Sequence, residues 1–215
     1  MHQINNISCV EKELKYLYTL VINGKNYEFL SINNEQKDLN EQQRNKFIEK
    51  CNNEISLFSF EGTIVPISWK QGFMSGLIKN IFLIDSEVTK IPLSTFNIDH
   101  ETLIKIKVYL EHYENINPKE IRREPLITNK LRDIVEEWDY NFINIDDKDK
   151  LFSIHSAACY MDIDPLVSLS SVKIASLLKG TTTEEIREEF NIKNDFTPEE
   201  EQQIIEENSW SLENL

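Results

Sequence analysis

Glycine is scarce in this chain: there are 5 glycines in 215 residues, and none of them opens a loop of the type that cradles phosphate. The sequence therefore lacks the fingerprints of P-loop and dinucleotide-binding proteins. Basic residues are also few, since 23 Lys and Arg stand against 37 Asp and Glu, for a formal net charge of −14. Because phosphate binding needs clustered Lys and Arg, this balance argues against a nucleic-acid partner.

Cysteines are few, and long apolar runs are lacking. The three cysteines, Cys9, Cys51 and Cys159, are odd in number and form no CxxC pair, which indicates a reduced, intracellular chain. No stretch approaches the roughly 18–20 apolar residues of a membrane span, and the N-terminus has no apolar run of the kind found in signal peptides. We therefore expect a cytoplasmic and nuclear protein with no membrane partner.

Residues with the spacing of a catalytic or metal site are also lacking. The four histidines, His2, His100, His112 and His155, form no HExxH motif and do not pair with cysteines at metal-ligand spacing. We expect no metal, no cofactor and no enzymatic activity. Cys159 lies four residues after His155, so a cysteine-dependent enzyme is the alternative from another class. The simpler interpretation of Cys159 is a small buried residue.

Turn signals between β-prone runs predict a small sheet in the first half of the chain. The pattern predicts a hairpin over 14–32 with an Asn-Gly turn, a hairpin over 55–67 with a Glu-Gly turn, and a short strand at 91–93. Apolar residues at a spacing of three and four predict helices elsewhere. These helices cover 41–50, 69–84, a stretch capped by Asp99, a stretch begun by Asp147 and a stretch that ends at Gly180.

The negative charge is concentrated in the last 35 residues, Thr181–Leu215, which carry eleven acidic and two basic residues. A segment this acidic is usually solvated or disordered. This one also carries large apolar residues, among them Phe196 and Trp210, which disordered acidic tails seldom do. Thr-x-x-Glu capping boxes at Thr182 and Thr197 each predict the start of a short helix. The acids therefore have a local role at helix starts.

The apolar stripe on these short helices leaves two interpretations open. In the first, the stripe binds a partner and Trp210 is an interface anchor. In the second, the same side chains pack on the block 138–178. The pattern alone favours neither.

Six blocks of sequence resemble one family. The most specific is EEIREEFNIKNDFTPEEEQQIIEENSW, over Glu184–Trp210. The others are WDYNFINID at 138–146, LFSIHSAACYMDIDPLV at 151–167, KIASLLKG at 173–180 and, more loosely, SLFSFEGTIVPI at 56–67 and KIPLSTFNIDHETLIKIKVYLEHY at 90–113. Together these blocks resemble the S-phase-kinase-associated adaptors of SCF ubiquitin ligases, also called suppressor of kinetochore proteins.

The resemblance implies an α+β fold, with a BTB/POZ-like core of a small β-sheet flanked by helices and a C-terminal helical extension that binds F-box proteins. It implies a non-enzymatic adaptor that joins a cullin N-terminal domain to F-box substrate receptors for ubiquitin-dependent degradation, and a possible homodimer when the F-box partner is absent. The positions that match the F-box contact are Ile174, Leu178, Ile186, Phe190, Ile192, Phe196, Ile204, Asn208 and Trp210. Those that match the cullin-facing surface are Cys159 and Tyr160.

The same resemblance divides the chain into three parts. Residues 1–54 are an N-terminal extension of unknown role, 55–165 form the BTB/POZ-like domain with an internal linker at 114–137, and 166–215 form the dimerisation and F-box-binding module. The family usually has Asn-Tyr where this chain has Cys159-Tyr160. An alternative therefore stays open, in which the chain binds F-box proteins in another assembly, a kinetochore or proton-pump regulator, without a cullin.

Overall fold

A computed structural model describes residues 4–12, 15–22, 25–31, 53–85, 87–93, 96–121 and 128–208. The predicted helix at 41–50 and the Asn-Gly turn of the first hairpin lie outside the described residues. In the part of the chain that is described, no helix is long and apolar enough to cross a membrane.

The N-terminal part forms a three-stranded antiparallel sheet in the order β1-β2-β3, with strands at Ile4–Lys12, Lys15–Ile22 and Lys25–Ser31. Strands β2 and β3 are the predicted hairpin, paired in register from Tyr16↔Ser31 to Ile22↔Lys25. Strand β1 was not predicted, because two consecutive asparagines interrupt the alternation of apolar residues that marks a strand. The register shifts at this same place.

A second three-stranded sheet belongs to the core, in the order β5-β4-β6. Strands β4 (Glu54–Phe58) and β5 (Ile64–Ser68) pair antiparallel, and β6 (Lys90–Pro92) lies parallel to β4. Buried and more exposed residues alternate along β4 and β5, as expected for strands that bury one face. The turn between them uses Gly62 at φ +79°, a conformation that favours glycine. The predicted hairpin and the predicted short strand are confirmed.

The predicted continuous helix over 69–84 is wrong, because the chain breaks into α1 (Trp69–Gly72) and α2 (Gly76–Ile84). The buried hydroxyl of Ser75 donates to the carbonyl oxygen of Met161 and accepts from the N–H of Ile78, 3.2 Å away, so it caps a new helix. The N–H of Gly76 donates to the carbonyl oxygen of Asp162, 2.8 Å away. The start of α2 is therefore hydrogen-bonded to the turn at residues 161–162.

The remaining helices of the core are α3 (His100–His112), α4 (Glu137–Ile143), α5 (Lys148–Tyr160) and α6 (Asp164–Leu178). Asp99 caps α3 by accepting from the N–H of Thr102, 2.7 Å away, and Asp147 caps α5 by accepting from Lys150, 3.1 Å away. Both predicted caps are confirmed. The apolar stripes of these helices are buried, and their side chains include Leu103, Ile106, Leu110, Leu151, Ile154, Leu166 and Leu169.

One compact unit of the chain ends at Ser176 and a second begins at Leu177. The second unit carries α7 (Thr183–Glu189) and α8 (Pro198–Glu207). The predicted α+β class, with a small sheet flanked by helices and a helical extension, is confirmed.

Candidate functional site

The two short helices of the second unit begin at the predicted capping boxes. The hydroxyl of Thr182 accepts from the N–H of Glu185 at 3.2 Å, and the Glu185 carboxylate accepts from the N–H of Thr182 at 2.8 Å. Thr197 and Glu200 make the same pair of bonds at 3.3 and 2.8 Å. The bonds from Thr197 hold the pKa of the Glu200 carboxyl below its usual range. Both predicted boxes are confirmed.

The turn after α7 has the geometry of a Schellman motif, which the sequence analysis missed. Asn191 adopts φ +51°, and the N–H of the next residue, Ile192, donates to the carbonyl oxygen of Arg187 at 2.8 Å. The N–H of Asn191 also donates to the carbonyl oxygen of Glu188, 3.3 Å away. Asparagine tolerates the left-handed conformation better than other residues with a side chain, so Asn191 was the signal for this turn. The turn fixes where Ile192 leaves the helix.

One acidic side chain ties the two short helices together. Glu201, in the first turn of α8, lies 3.5 Å from the guanidinium of Arg187 on α7. Its Oε1 also accepts from the amide of Asn194 at 2.6 Å. Acids of the tail therefore cap the helices and join them, which is why the segment folds despite its charge.

The apolar side chains of the tail remain largely open to solvent. Ile192 is 54% exposed, Phe196 47% and Ile204 41%. Ile205, at 53%, belongs to the same group but was not among the predicted site residues, although its position beside Ile204 was a visible signal. We call Ile192, Phe196, Ile204 and Ile205 the tail surface.

The other predicted F-box positions differ in exposure. Leu178 and Asn208 are exposed, and Ile186 and Phe190 are half-buried. Ile174 is half-buried and belongs to the first compact unit. Trp210 lies outside the described residues.

Removing a cap should loosen the helix that it starts. We expect Thr182→Ala to lower the stability of α7 by about 0.5–2 kcal/mol, because the N–H of Glu185 loses its acceptor. Hydrogen exchange of the backbone amides of α7 measures this. Thr183→Ala is the matched control, since Thr183 is the first residue of the helix and not its cap. Equal loss of protection in both variants would contradict the assignment.

The two predicted cullin-facing residues lie in the last turn of α5. Met161 ends the helix, Asp162 follows at φ +54°, and the N–H of Ile163 donates to the carbonyl oxygen of Ala158 at 3.0 Å. Ala157 and Ala158 occupy the buried face of this turn. Cys159 therefore points to solvent, and the interpretation of Cys159 as a small buried residue is wrong.

The Cys159 thiol lies next to His155, which is hydrogen-bonded to Ser170. The buried hydroxyl of Ser170 donates to the carbonyl oxygen of Leu166 at 2.7 Å, so it accepts from Nδ1–H of His155 at 2.9 Å. Nε2 of His155 faces the Sγ of Cys159, 3.7 Å away. The thiol therefore lies at the end of a row of polar groups that starts at the buried Ser170. The described residues contain no group of three or more His, Cys, Asp or Glu that could hold a metal ion.

The neighbouring Tyr160 stacks on Phe96, with ring centroids 3.8 Å apart and planes inclined by 25°. Tyr160 is half-buried, whereas Phe96 is 59% exposed. Sequence reasoning missed Phe96, because it lies far from Tyr160 along the chain and follows no periodic pattern. The structure therefore adds an aromatic ring to this surface.

Comparison with known proteins gives consistent matches. A model of the Skp1 family, dimerisation domain, matches residues 164–211. An S-phase kinase-associated protein 1 homolog from Tetrahymena thermophila is 42% identical over 166 residues, which cover 77% of this chain and 98% of that protein. The E3 ubiquitin ligase complex SCF subunit sconC of Arthroderma benhamiae is 37% identical over 161 residues, or 75% of this chain and 96% of that protein. Suppressor of kinetochore protein 1 of Schizosaccharomyces pombe is 38% identical over 137 residues, or 64% and 84%.

Proposed function

Because the chain belongs to the Skp1 family, we propose that it is a non-catalytic adaptor of an SCF-type cullin-RING ubiquitin ligase. The observation that carries the proposal is the extent of the match, since the similarity covers nearly the full length of relatives that include a named SCF subunit. The adaptor joins a cullin N-terminal domain to F-box proteins, which select the substrates for ubiquitination and degradation.

The F-box protein binds the helical extension. The open apolar side chains of the tail surface support this assignment, because four of them occur within one short segment, and grouped exposed apolar residues are typical of an interaction site. The contact includes Ile174, Leu178, Ile186, Phe190, Ile192, Phe196, Ile204, Asn208 and Trp210. We expect a large apolar interface of about 2,000 Å² or more, as in permanent complexes.

The acidic residues around the tail surface shape the choice of partner. Glu184 and Glu185 lie in the first turn of α7, and Glu199, Glu200 and Glu201 lie in the first turn of α8. Carboxylates in the same segment as the exposed apolar side chains favour partners with basic residues and disfavour acidic ones. Without an F-box partner, a second copy of this chain covers the apolar patch and forms a homodimer.

The cullin binds the end of α5, through Cys159 and Tyr160. A half-buried tyrosine at the end of a helix suits an interface, since tyrosine combines a large apolar ring with a hydroxyl that can find a partner. The thiol of Cys159 is a weak hydrogen-bonding group that already faces Nε2 of His155, where the family has an amide with two donors and an acceptor. Cullin binding should therefore be weaker in this chain than in relatives with Asn at that position.

The second candidate function is an F-box-binding subunit of another assembly, such as a kinetochore or proton-pump regulator, without a cullin. The observation that favours it is the same Cys159 substitution at the proposed cullin surface. In that case the tail would keep its partner and the end of α5 would have another role or none.

Affinity purification of the chain from its native cells, followed by identification of the bound proteins, separates the two functions. We expect both F-box proteins and a cullin to copurify. F-box proteins without any cullin would favour the second function. The absence of F-box proteins would contradict both.

A further inference from the structure

We propose that Phe96 is a positioning residue that holds the ring of Tyr160 in the orientation that binds the cullin. The inference rests on the proposed function and adds to it a residue that is not among the positions assigned to the two contacts. The rings are in van der Waals contact over their faces, at a centroid distance of 3.8 Å. Offset stacking of this kind restricts the rotation of both side chains.

The backbone around Phe96 is held on both sides. Before it, the N–H of Leu93 donates to the carbonyl oxygen of Phe58 at 3.0 Å. After it, the carbonyl oxygen of Ile98 accepts from the N–H of Phe60 at 2.8 Å. The side chains of Leu93 and Ile98 are both buried. Strand β4 and the turn that follows it therefore hold the backbone at Leu93 and at Ile98, on either side of Phe96.

The direction of Phe96 depends on the residue that follows it. Asn97 adopts φ +49°, in the left-handed region that asparagine tolerates. This conformation changes the direction of the chain between Phe96 and Ile98. Phe96 lies on the outside of the molecule, whereas the side chain of Ile98 is buried.

Tyr160 is fixed from its own side by the turn that ends α5. Met161 and Ile163 are fully buried, and the carbonyl oxygen of Met161 accepts from the hydroxyl of Ser75. The backbone of Tyr160 is thus rigid, and its ring is the part that remains free to change rotamer. Phe96 supplies the contact that restricts it.

The exposure of Phe96 argues for a role in binding rather than in folding. A phenylalanine that is 59% exposed adds little to the core, whereas a rigid aromatic pair on the surface gives a partner a large apolar target at low entropic cost. The occupant we assign is the cullin N-terminal domain, because Tyr160 belongs to the proposed cullin contact. Phe96 acts on that contact through Tyr160.

The test measures the affinity of the full chain for the N-terminal domain of a cullin from the same organism, by isothermal titration calorimetry. We expect Phe96→Ala to weaken binding about tenfold, near the upper end of what an aromatic pair contributes. Phe96→Tyr keeps the stack and should retain the affinity of the unchanged chain. In a Tyr160→Ala background, Phe96→Ala should have no further effect, because the residue that it positions is already gone.

Two controls separate positioning from loss of fold and from loss of apolar surface. Binding to an F-box segment should be equal in all these variants, since the tail is unchanged. Ile84→Ala removes an apolar side chain that is 80% exposed elsewhere, and it should leave cullin affinity unchanged. If Phe96→Ala and the unchanged chain bind the cullin equally, the inference about Phe96 is wrong, while the proposed cullin contact is unaffected. If the unchanged chain binds no cullin, the proposed cullin contact fails and the inference fails with it.

Discussion

Alanine in place of Phe190 is expected to weaken the binding of an F-box segment by about 1–4 kcal/mol, the range of interface hot spots. In affinity this is roughly a 5- to 1,000-fold loss. Phe190 ends α7 at its C-cap, directly before the turn that Asn191 makes and the exposed Ile192. Phe190 is therefore an aromatic member of the proposed contact, and its half-buried position beside the turn limits its movement before a partner binds.

Surface plasmon resonance with an immobilised F-box segment measures this loss. Trp210→Ala is expected to weaken binding over the same range, as the large aromatic residue at the end of the matched block. Unchanged affinity in both variants would refute the assignment of the F-box contact.

Two adjacent isoleucines on α8 provide a matched comparison for that result. Ile204 and Ile205 are 41% and 53% exposed, and replacing either by alanine changes helix propensity equally. Only Ile204 matches the F-box positions, so Ile204→Ala should weaken binding more than Ile205→Ala does. Equal losses would mean that the contact covers the whole tail surface, and a loss for Ile205→Ala alone would contradict the assignment.

Alanine in place of Tyr160 is expected to lower cullin affinity by about 2 kcal/mol, roughly 30-fold, because the aromatic ring is the main apolar group of that proposed contact. Binding of the F-box segment should not change. The measurement is calorimetric titration with the cullin N-terminal domain, with F-box binding measured in the same preparation. Unaltered cullin affinity would show that the contact lies elsewhere.

The Cys159 position allows the opposite test, a gain of affinity. Cys159→Asn restores the amide that the family has at this place, and we expect it to strengthen cullin binding by about 0.5–1.5 kcal/mol through an added hydrogen bond. Cys159→Ser is the matched control, because serine supplies a hydroxyl of similar size to the thiol. A gain for serine equal to that for asparagine would mean that polarity, and not the amide, is what the surface lacks.

The elements that could be predicted from the sequence are those set by local chemistry. The boxes at Thr182 and Thr197 need only residues three apart, and the β4–β5 hairpin needs only its turn glycine and the flanking β-prone runs. The break before α2 has one local sign, since Ser75 accepts from the N–H of Ile78, three residues on. The hydrogen bond from Ser75 to Met161, which is distant along the chain, could not be predicted in this way. Local sequence preferences do not include contacts between residues that are far apart along the chain.

The candidate site shows the same division. The apolar residues of the tail were visible because they interrupt an acidic segment at helical spacing. The Phe96–Tyr160 stack was not visible, since two rings meet there only after β4, β5 and α5 have packed. The exposure of Cys159 was also missed, because one residue of register on a helix decides whether a small side chain faces the core or the solvent.

The central claim is that the chain joins an F-box protein to a cullin, and the most direct test is a bridging assay. An F-box protein is immobilised, the cullin N-terminal domain is supplied in solution, and its retention is measured with and without this chain. We expect cullin to be retained only when the chain is present, and Tyr160→Ala and Phe190→Ala each to reduce the amount of cullin that is retained. Retention of cullin without the chain, or its absence when the chain is bound to the F-box protein, would contradict the account.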